Sequence, residues 1–308
     1  VNMKKIINQI LFLLLPTNVG NLKKCSFILL LFVVVQTKSQ INQDSLWSIW
    51  SDKNQPDTNR FEAIKTIAWD GYLFSQPDSA FYFAELQYNL AKKKGLRKYM
   101  ANALNTQGAS FQMKSNNEKA LSYYIQTLAI QKELNDLKGI SSALNNIGLI
   151  HKNQGTYSKA LDYYSKSLSI KEKLKDKKGI SASLSNIGNI FQLMGRSKKA
   201  ISYYNKALKI QNSLGDKKGI STSLGNIGTA YYTMSNYDLS AKYQNRSLLI
   251  RKEINDIRGI AISYNNLGNI FKSRGLYSES LSNYMLYLEI SKKHDIQYGI
   301  ATALGNIG

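Results

Sequence analysis

Cysteine, histidine and proline are scarce in this sequence, and each scarcity excludes a class of protein. The 308 residues contain one Cys, two His and three Pro. A single Cys excludes a disulfide framework and every zinc or iron–sulfur site built from several cysteines. Two His leave little for imidazole-based metal binding or acid–base catalysis. A hydrophobic fraction of 43% with 20% charged residues also excludes a disordered chain.

The first 40 residues contain no acidic residue, but they carry five Lys and two apolar stretches. Lys23 and Lys24, then ten apolar-dominated residues at 26–35 and a polar exit, have the layout of a secretory signal peptide. The alternative is a signal anchor or helical hairpin that uses both apolar stretches. We expect an exported protein that is periplasmic, or membrane-associated and facing the periplasm. Because the sequence does not begin with Met, we expect the true leader to start near Leu22.

Beyond residue 98 the sequence repeats with a strict period of 40. Two phases hold glycine throughout: Gly139, Gly179, Gly219, Gly259 and Gly299, and Gly148, Gly188, Gly228, Gly268 and Gly308. Periods of 20–50 residues are typical of solenoids and propellers. Apolar residues within a unit follow helical spacing and never strand alternation, which excludes a propeller. Each unit is therefore predicted to be a helix–turn–helix, with Asp136 and its equivalents capping the first helix.

The units resemble the tetratricopeptide repeat. The pattern of a bulky residue, a buried aliphatic–glycine pair and an aromatic, then a small residue and an aromatic on the second helix, is carried in one unit by Leu184, Ile187, Gly188, Phe191, Ala200 and Tyr204. The longer 40-residue period with Asn-Ile-Gly-Asn is similar to the repeats of kinesin light chains and spindle-orientation adaptors. The resemblance implies an all-α, right-handed superhelical solenoid of stacked helix–turn–helix repeats.

The domain organisation follows from the repeats. Residues 1–40 are predicted to be the leader, 41–98 an N-terminal helical cap with one degenerate repeat, and 99–308 an array of five full repeats and a truncated sixth. Because Gly308 falls inside the first helix of a new unit, we expect a truncated reading frame. A frayed natural terminus is the alternative.

No catalytic constellation is found in the sequence. His151 shares its phase with Phe111, Phe191, Tyr231 and Phe271, which predicts a core position and not a ligand. The glycines recur at repeat spacing, so they belong to the framework and not to a phosphate loop. We expect no enzymatic activity in this chain, no cofactor and no metal site.

A peptide-binding groove is predicted on the stacked first helices. A ladder of carboxamides can pair with the backbone of an extended peptide, and the family resemblance implies that use. The candidate residues lie one position before the buried aliphatic–glycine pair, three residues further on, and one turn beyond: Asn146, Asn186, Asn226 and Asn266; Asn189 and Asn269; Lys152, Gln192, Tyr232 and Lys272. The alternative is compositional, since 29 residues are Asn.

The formal net charge of +21 does not by itself name a partner. Most Lys are predicted on the second helices and the turns, facing outward, as in Lys171, Lys173, Lys175, Lys177 and Lys178. The charge favours an acidic peptide, and we expect no nucleic acid because only Tyr232 is an aromatic candidate in the groove. The sequence leaves the oligomeric state open.

Two functions are compatible with these features. The first is a scaffold that binds a peptide or protein segment in its concave groove. The second is the extracytoplasmic sensory region of a signalling enzyme, because residues 78–84 before the repeats resemble the N-terminal regions of bacterial repeat-containing adenylate/guanylate cyclases and sensor histidine kinases. In that case, a membrane segment and a catalytic domain would follow residue 308.

Overall fold

The computed structural model describes residues 43–308, so the predicted leader lies outside the described residues. All regular structure in residues 43–308 is helical, with fourteen α-helices and one π-helical segment. None of these helices is long and apolar enough to cross a membrane. The chain divides into two compact units between Gln87 and Tyr88.

The first unit is a small helical assembly. Its elements are α1 (Gln43–Ser51), α2 (Asp57–Thr66), a π-helix (Ile67–Tyr72) and the beginning of α3 (Pro77–Lys93). Phe61 and Ile64 are fully buried in it. The Arg60 guanidinium lies 5.3 Å from the centre of the Trp50 ring, and its Nε donates to the Trp50 carbonyl at 2.9 Å. This contact fastens α1 to α2.

The second unit is a series of helix pairs. Its helices are α4 (Arg97–Met113), α5 (Asn117–Glu133), α6 (Leu137–Asn153), α7 (Tyr157–Lys173), α8 (Lys177–Leu193), α9 (Ser197–Leu214), α10 (Lys217–Thr233), α11 (Tyr237–Glu253), α12 (Ile257–Ser273), α13 (Tyr277–Lys293) and α14 (Gln297–Ile307). Even-numbered helices are the first and odd-numbered helices the second members of the pairs. From α4 to α14, consecutive helices pack on each other, which confirms the predicted all-α solenoid of stacked repeats.

The turns explain why the period is 40. After α3 and each helix to α13, one residue adopts a left-handed backbone conformation, and these residues are 20 apart: Gly95, Ser115, Asn135, Gly155, Lys175, Gly195, Gly215, Ser235, Asn255, Gly275 and Asp295. The turn after α6 shows the hydrogen bonding: Thr156 N–H donates to the His151 carbonyl at 2.9 Å, and Gly155 N–H to the Lys152 carbonyl at 3.1 Å. This double closure is a common helix C-terminus. One repeat is therefore two halves of equal length.

Aspartates begin four of the first helices, as predicted. The side chain of Asp136 accepts a hydrogen bond from the backbone N–H of Gly139 at 3.0 Å. Asp176, Asp216 and Asp256 make the same bond to the glycine three residues on. Each satisfies one of the backbone donors that a helix N-terminus leaves unpaired.

The second recurrent glycine permits close packing within a repeat. A Cβ atom on Gly188 would lie 2.6 Å from the Tyr204 ring, and Tyr204 is 1% exposed. Tyr204 also packs with Ala200 and with Ile227 of the following repeat. The glycine thus lets the two helices approach, and the tyrosine fills the space between repeats, as the resemblance implied.

His151 occupies a core position, which confirms that prediction. It is buried and its ring stacks on Tyr163, with centroids 5.3 Å apart. The same stack is formed by Phe191 on Tyr203. His151 Nδ1 lies 2.9 Å from the Thr156 hydroxyl. Burial, together with the charge of Lys159, lowers the pKa of His151.

One polar position of the second helices points into the interface with the next repeat. It holds Gln131, Lys171, Gln211, Arg251 and Ser291. In three interfaces a serine of the next first helix pairs with it: Lys171 Nζ with Ser183 at 2.9 Å, Gln211 Oε1 with Ser223 at 2.7 Å, and Arg251 Nη1 with Ser263 at 2.8 Å. In the other two interfaces, Gln131 Oε1 and Ser291 Oγ have no partner among the described residues.

The outward orientation predicted for Lys171 is therefore wrong. Its side chain is half-buried between repeats, whereas Lys173, Lys175, Lys177 and Lys178 are exposed. Burial lowers the pKa of Lys171, and Asp176 partly opposes that shift. The reason for the error is geometric, because Lys171 lies on the face of α7 that contacts α8.

Candidate peptide-binding face

The first helices stack side by side and form one surface, which we call the first-helix face. Hydrogen bonds join residues 41 apart on successive first helices. Gln192 Nε2 donates to the Thr233 hydroxyl at 2.9 Å, and the hydroxyls of Tyr232 and Ser273 are 2.9 Å apart. The candidate residues from the sequence all lie on these helices, in rows that run across the repeats.

The row of four asparagines is tied partly to the framework. Asn146 Nδ2 donates to Asn105 Oδ1 at 2.9 Å, and Asn186 Nδ2 donates to Asn145 Oδ1 at 3.0 Å. Asn306 repeats the bond with Asn265 at 2.8 Å. Each carboxamide has two N–H groups and a carbonyl, so each donor in the row keeps one N–H and its oxygen for another partner.

Two asparagines of the row lack this framework bond. The acceptor position holds Ser185 before Asn226 and Gly225 before Asn266. Asn226 Nδ2 instead approaches Asn189 Oδ1 at 3.3 Å. Asn266 makes no side-chain hydrogen bond among the described residues and is half-buried. The first-helix face therefore offers its least engaged carboxamide at Asn266.

The second row is held from below by tyrosines. Tyr204 donates its hydroxyl to Asn189 Oδ1 at 2.8 Å, and Tyr284 donates to Asn269 Oδ1 at 2.6 Å. Burial raises the pKa of both phenols, and a tyrosine is protonated at neutral pH in any case, so both hydroxyls act as donors. With its oxygen occupied, each of these asparagines presents its N–H groups.

The third row is less uniform. Gln192 and Tyr232 are half-buried and bonded to the next repeat, as described above. Lys152 is half-buried, and Lys272 is exposed. All ten predicted residues lie on the first helices, and the contacts bring only some of them near each other: Asn226 with Asn189, and Asn266, Asn269 and Tyr232 around one cavity.

That cavity has a volume of about 180 Å³ and lies between α10, α11 and α12. It is lined by Thr229, Tyr232, Ser240, Gln244, Asn266, Asn269 and Ile270. Gln244, Ser240 and Ile270 are buried, whereas Thr229 is exposed and the remaining three are half-buried. The cavity therefore has a buried floor and a mouth on the first-helix face.

Sequence reasoning missed several of these residues. Asn105, Asn145 and Asn265 share the 40-residue phase, but Ser185, Gly225 and Gly305 interrupt it. Asn306 continues the predicted row, 40 residues after Asn266. Gln244 stands in phase with Tyr124, Tyr164, Tyr204 and Tyr284, and its departure from tyrosine was the signal available for the cavity.

Most polar groups of this face are neutral hydrogen-bonding groups. Its groups are carboxamides, hydroxyls and two lysines, and no cluster of three His, Cys, Asp or Glu able to hold a metal occurs within residues 43–308. Such a surface can both donate to and accept from a polar ligand. It contains no nucleophile paired with a base.

The sequence matches the tetratricopeptide repeat family over residues 99–173, 139–213 and 219–293. These segments cover more than half of the chain, which therefore belongs to the tetratricopeptide repeat family. A comparison with curated proteins finds no match. The resemblance to repeat-containing cyclases and histidine kinases stays a prediction.

Solved structures share the fold. The quorum sensor NprR from B. thuringiensis is 13% identical, with a TM-score of 0.65 over 89% of this chain and 76% of its own. The Rap conjugation gene regulator of plasmid pLS20, solved with the Phr* peptide, is 18% identical, with a TM-score of 0.59 over 69% of this chain and 59% of its own. A putative kinesin light chain from Podosopora anserina with nearly identical TPR-like repeats is 13% identical, with a TM-score of 0.54 over 64% of this chain and 96% of its own.

Proposed function

We propose that this chain is an interaction scaffold that binds an extended peptide or protein segment on its first-helix face. The observation that carries the proposal is the row of half-buried asparagines. Each member keeps unused N–H or carbonyl groups at the surface. An extended backbone presents N–H and C=O groups in alternation, and carboxamides match both.

Two further features support the proposal. The framework bonds of Asn146 and Asn186 hold their side chains in place before any ligand arrives, which reduces the entropy cost of binding. The fold is also shared with the Rap regulator that was solved in complex with the Phr* peptide. For the present chain, peptide binding rests on the asparagine row.

An acidic segment suits the charge of the repeat array. Residues 99–308 carry 28 Lys and Arg against 13 Asp and Glu. A positive surface of this kind raises the association rate of an acidic partner more than it raises affinity. The association rate should therefore fall with added salt while the dissociation rate changes little.

The experiment selects peptides from a random phage-displayed library on the full chain and measures their affinities. The test variant combines Asn226→Ala with Asn266→Ala, because neither carries a short framework bond. The matched control combines Asn205→Ala with Asn245→Ala, which removes two exposed asparagines of second helices. Each lost hydrogen bond is worth about 0.5–1.5 kcal/mol, so loss of two should make the test variant bind roughly 5- to 160-fold more weakly, and the control should bind as wild type does.

Two results would contradict the proposal. One is a failure of the wild-type chain to enrich any peptide above a column without protein. The other is equal weakening in the test and control variants. Circular dichroism of each variant checks that the helices are retained.

We also propose a second function. The sensory region of a cyclase or histidine kinase is proposed from the sequence resemblance of residues 78–84, which begin α3. Sequencing the gene downstream of residue 308 tests it. A membrane segment followed by a cyclase or kinase domain would support it, and a stop codon without either would reject it.

A further inference from the structure

The cavity between α10, α11 and α12 exists where one repeat departs from the others. In the four other repeats the position of Gln244 holds a tyrosine, whose ring packs beneath the glycine of the preceding helix. Here Gly228 faces the Gln244 side chain instead, and a Cβ atom on Gly228 would lie 3.0 Å from that side chain. The shorter glutamine leaves space that the phenol fills elsewhere, and that space opens on the first-helix face.

The Gln244 amide is oriented by its surroundings. Its Nε2 donates to the Gly225 carbonyl at 3.0 Å and lies 3.4 Å from the Thr229 hydroxyl. Rotating the amide by half a turn would place its oxygen against the Gly225 carbonyl, where two acceptors would repel, so the orientation is fixed. The side chain is 1% exposed, and its Oε1 has no partner within residues 43–308. A buried acceptor without a donor is unfavourable.

The rest of the lining defines what can enter. Asn266 has both ends of its carboxamide free of partners among the described residues, because residue 225 is a glycine. Asn269 has its oxygen occupied by Tyr284 and presents N–H groups. No Lys, Arg, Asp or Glu lines the cavity. A charged group would therefore be buried here without a counter-charge, which is strongly unfavourable.

We infer that this cavity binds the side-chain carboxamide of an Asn or Gln in the bound segment. The ligand amide donates an N–H to the carboxamide oxygen of Asn266, and its carbonyl accepts from the N–H groups of Asn269. A volume of about 180 Å³ is adequate for such a group, since a cavity of about 150 Å³ can hold benzene. The inference rests on the proposed function and names the side chain that this face selects.

The first experiment does not depend on knowing the peptide. Isotope-labelled full chain is titrated with N-acetylglutamine methylamide, and with the glutamate and alanine analogues, and the side-chain NH₂ resonances of Asn266 and Asn269 are followed by NMR. The glutamine compound should shift both resonances, and its affinity should be at least tenfold higher than that of either analogue. Equal binding of the glutamate analogue, or no shift by the glutamine compound, would overturn the inference.

The variant Gln244→Tyr supplies the matched control. Tyrosine is the residue of the four other repeats, so the variant is expected to fold, and its phenol should fill the cavity. It should lose the response to the glutamine compound. An undiminished response in a variant that retains its helicity would place the binding elsewhere and refute the assignment.

The second experiment separates this inference from the proposed function. Library peptides that bind the wild-type chain should share an Asn or Gln at one position, and replacing that residue by Glu should weaken binding at least tenfold in wild type but not in Gln244→Tyr. Peptides that bind without a shared carboxamide, and equally to both proteins, would refute the cavity assignment and leave the function intact. A failure to select any peptide, with the NMR response present, would refute the function instead.

Discussion

Ala143→Ser should stabilise the repeat array, although it places a hydroxyl in a buried position. Ala143 is 1% exposed and follows Gln131 by twelve residues, and Gln131 Oε1 is buried without a partner within residues 43–308. Two repeats further along, the equivalent pair is Ser223 and Gln211, and there the hydroxyl donates to Oε1 at 2.7 Å. Because the backbone positions correspond, we expect the hydroxyl of the new serine to donate a hydrogen bond to Gln131 Oε1.

The magnitude follows from the hydrogen bond gained. A net contribution of about 0.5–1.5 kcal/mol is typical, with an added gain because the oxygen was previously unpaired. We expect about 1–2 kcal/mol in total, which corresponds to a rise in melting temperature of roughly 2–8 °C for a unit of this size. Ser223→Ala should cause a loss of similar or greater size, since it leaves Gln211 Oε1 unpaired.

The assay is thermal and urea unfolding followed by circular dichroism, combined with a double-mutant cycle. In a Gln131→Leu background, Ala143→Ser should no longer stabilise and should instead destabilise, because its hydroxyl is buried without an acceptor. An unchanged or lowered stability of Ala143→Ser in the wild-type background would refute the reasoning. So would an equal gain with and without Gln131.

Three further predictions concern single positions. The pKa of His151 is lowered in the folded chain, so the unfolded chain binds more protons, and the free energy of unfolding should fall as pH drops below about 6.5. In urea titrations between pH 7 and 5, His151→Phe should remove this dependence of stability on pH. Persistence of the same pH dependence in the variant would contradict the prediction. Lys175→Gly should stabilise the protein by about 0.5–1 kcal/mol, because glycine adopts the left-handed backbone conformation of this position without steric cost. Lys209→Gly, in the middle of a helix, should destabilise the protein. The reverse order of melting temperatures would contradict this prediction. Gly188→Ala should lower stability by about 1–3 kcal/mol through steric overlap with Tyr204. Gly225→Ala should not, because a Cβ atom there would lie no closer than 3.4 Å to another side chain. Equal effects of the two variants in thermal melts would disprove the packing argument.

The fold could be predicted from the sequence because one interface is used repeatedly. Every feature that the interface requires, such as Gly188 against Tyr204 or Asp176 at a helix start, recurs after 40 residues and stands out. The 20-residue spacing of the turns was hidden. A left-handed position accepts Gly, Asn, Ser, Asp or even Lys at moderate cost, so Lys175 gives no visible signal.

The sequence predicted which asparagines lie on the first helices but not how they pair, and their role in peptide binding stays a prediction. The phase of Asn186 and Asn226 placed them on the first-helix face. Which partner each finds depends on the residue 41 positions earlier, and that residue changes from Asn145 to Ser185. Lys171 departs from the expectation that a charged side chain faces solvent, because the Ser183 hydroxyl accepts a hydrogen bond from its Nζ within the interface.

The polar contacts between repeats also bear on how the array can change in length. Lys171, Gln211 and Arg251 each face a serine, so deleting residues 183–222 as one unit would bring Lys171 opposite Ser223 and restore the same kind of bond. Deleting residues 263–302 would instead bring the buried Arg251 opposite Ala303. Loss of a whole unit therefore keeps the polar pair of this interface where Lys171 would meet Ser223, and leaves a buried guanidinium without its serine where Arg251 would meet Ala303.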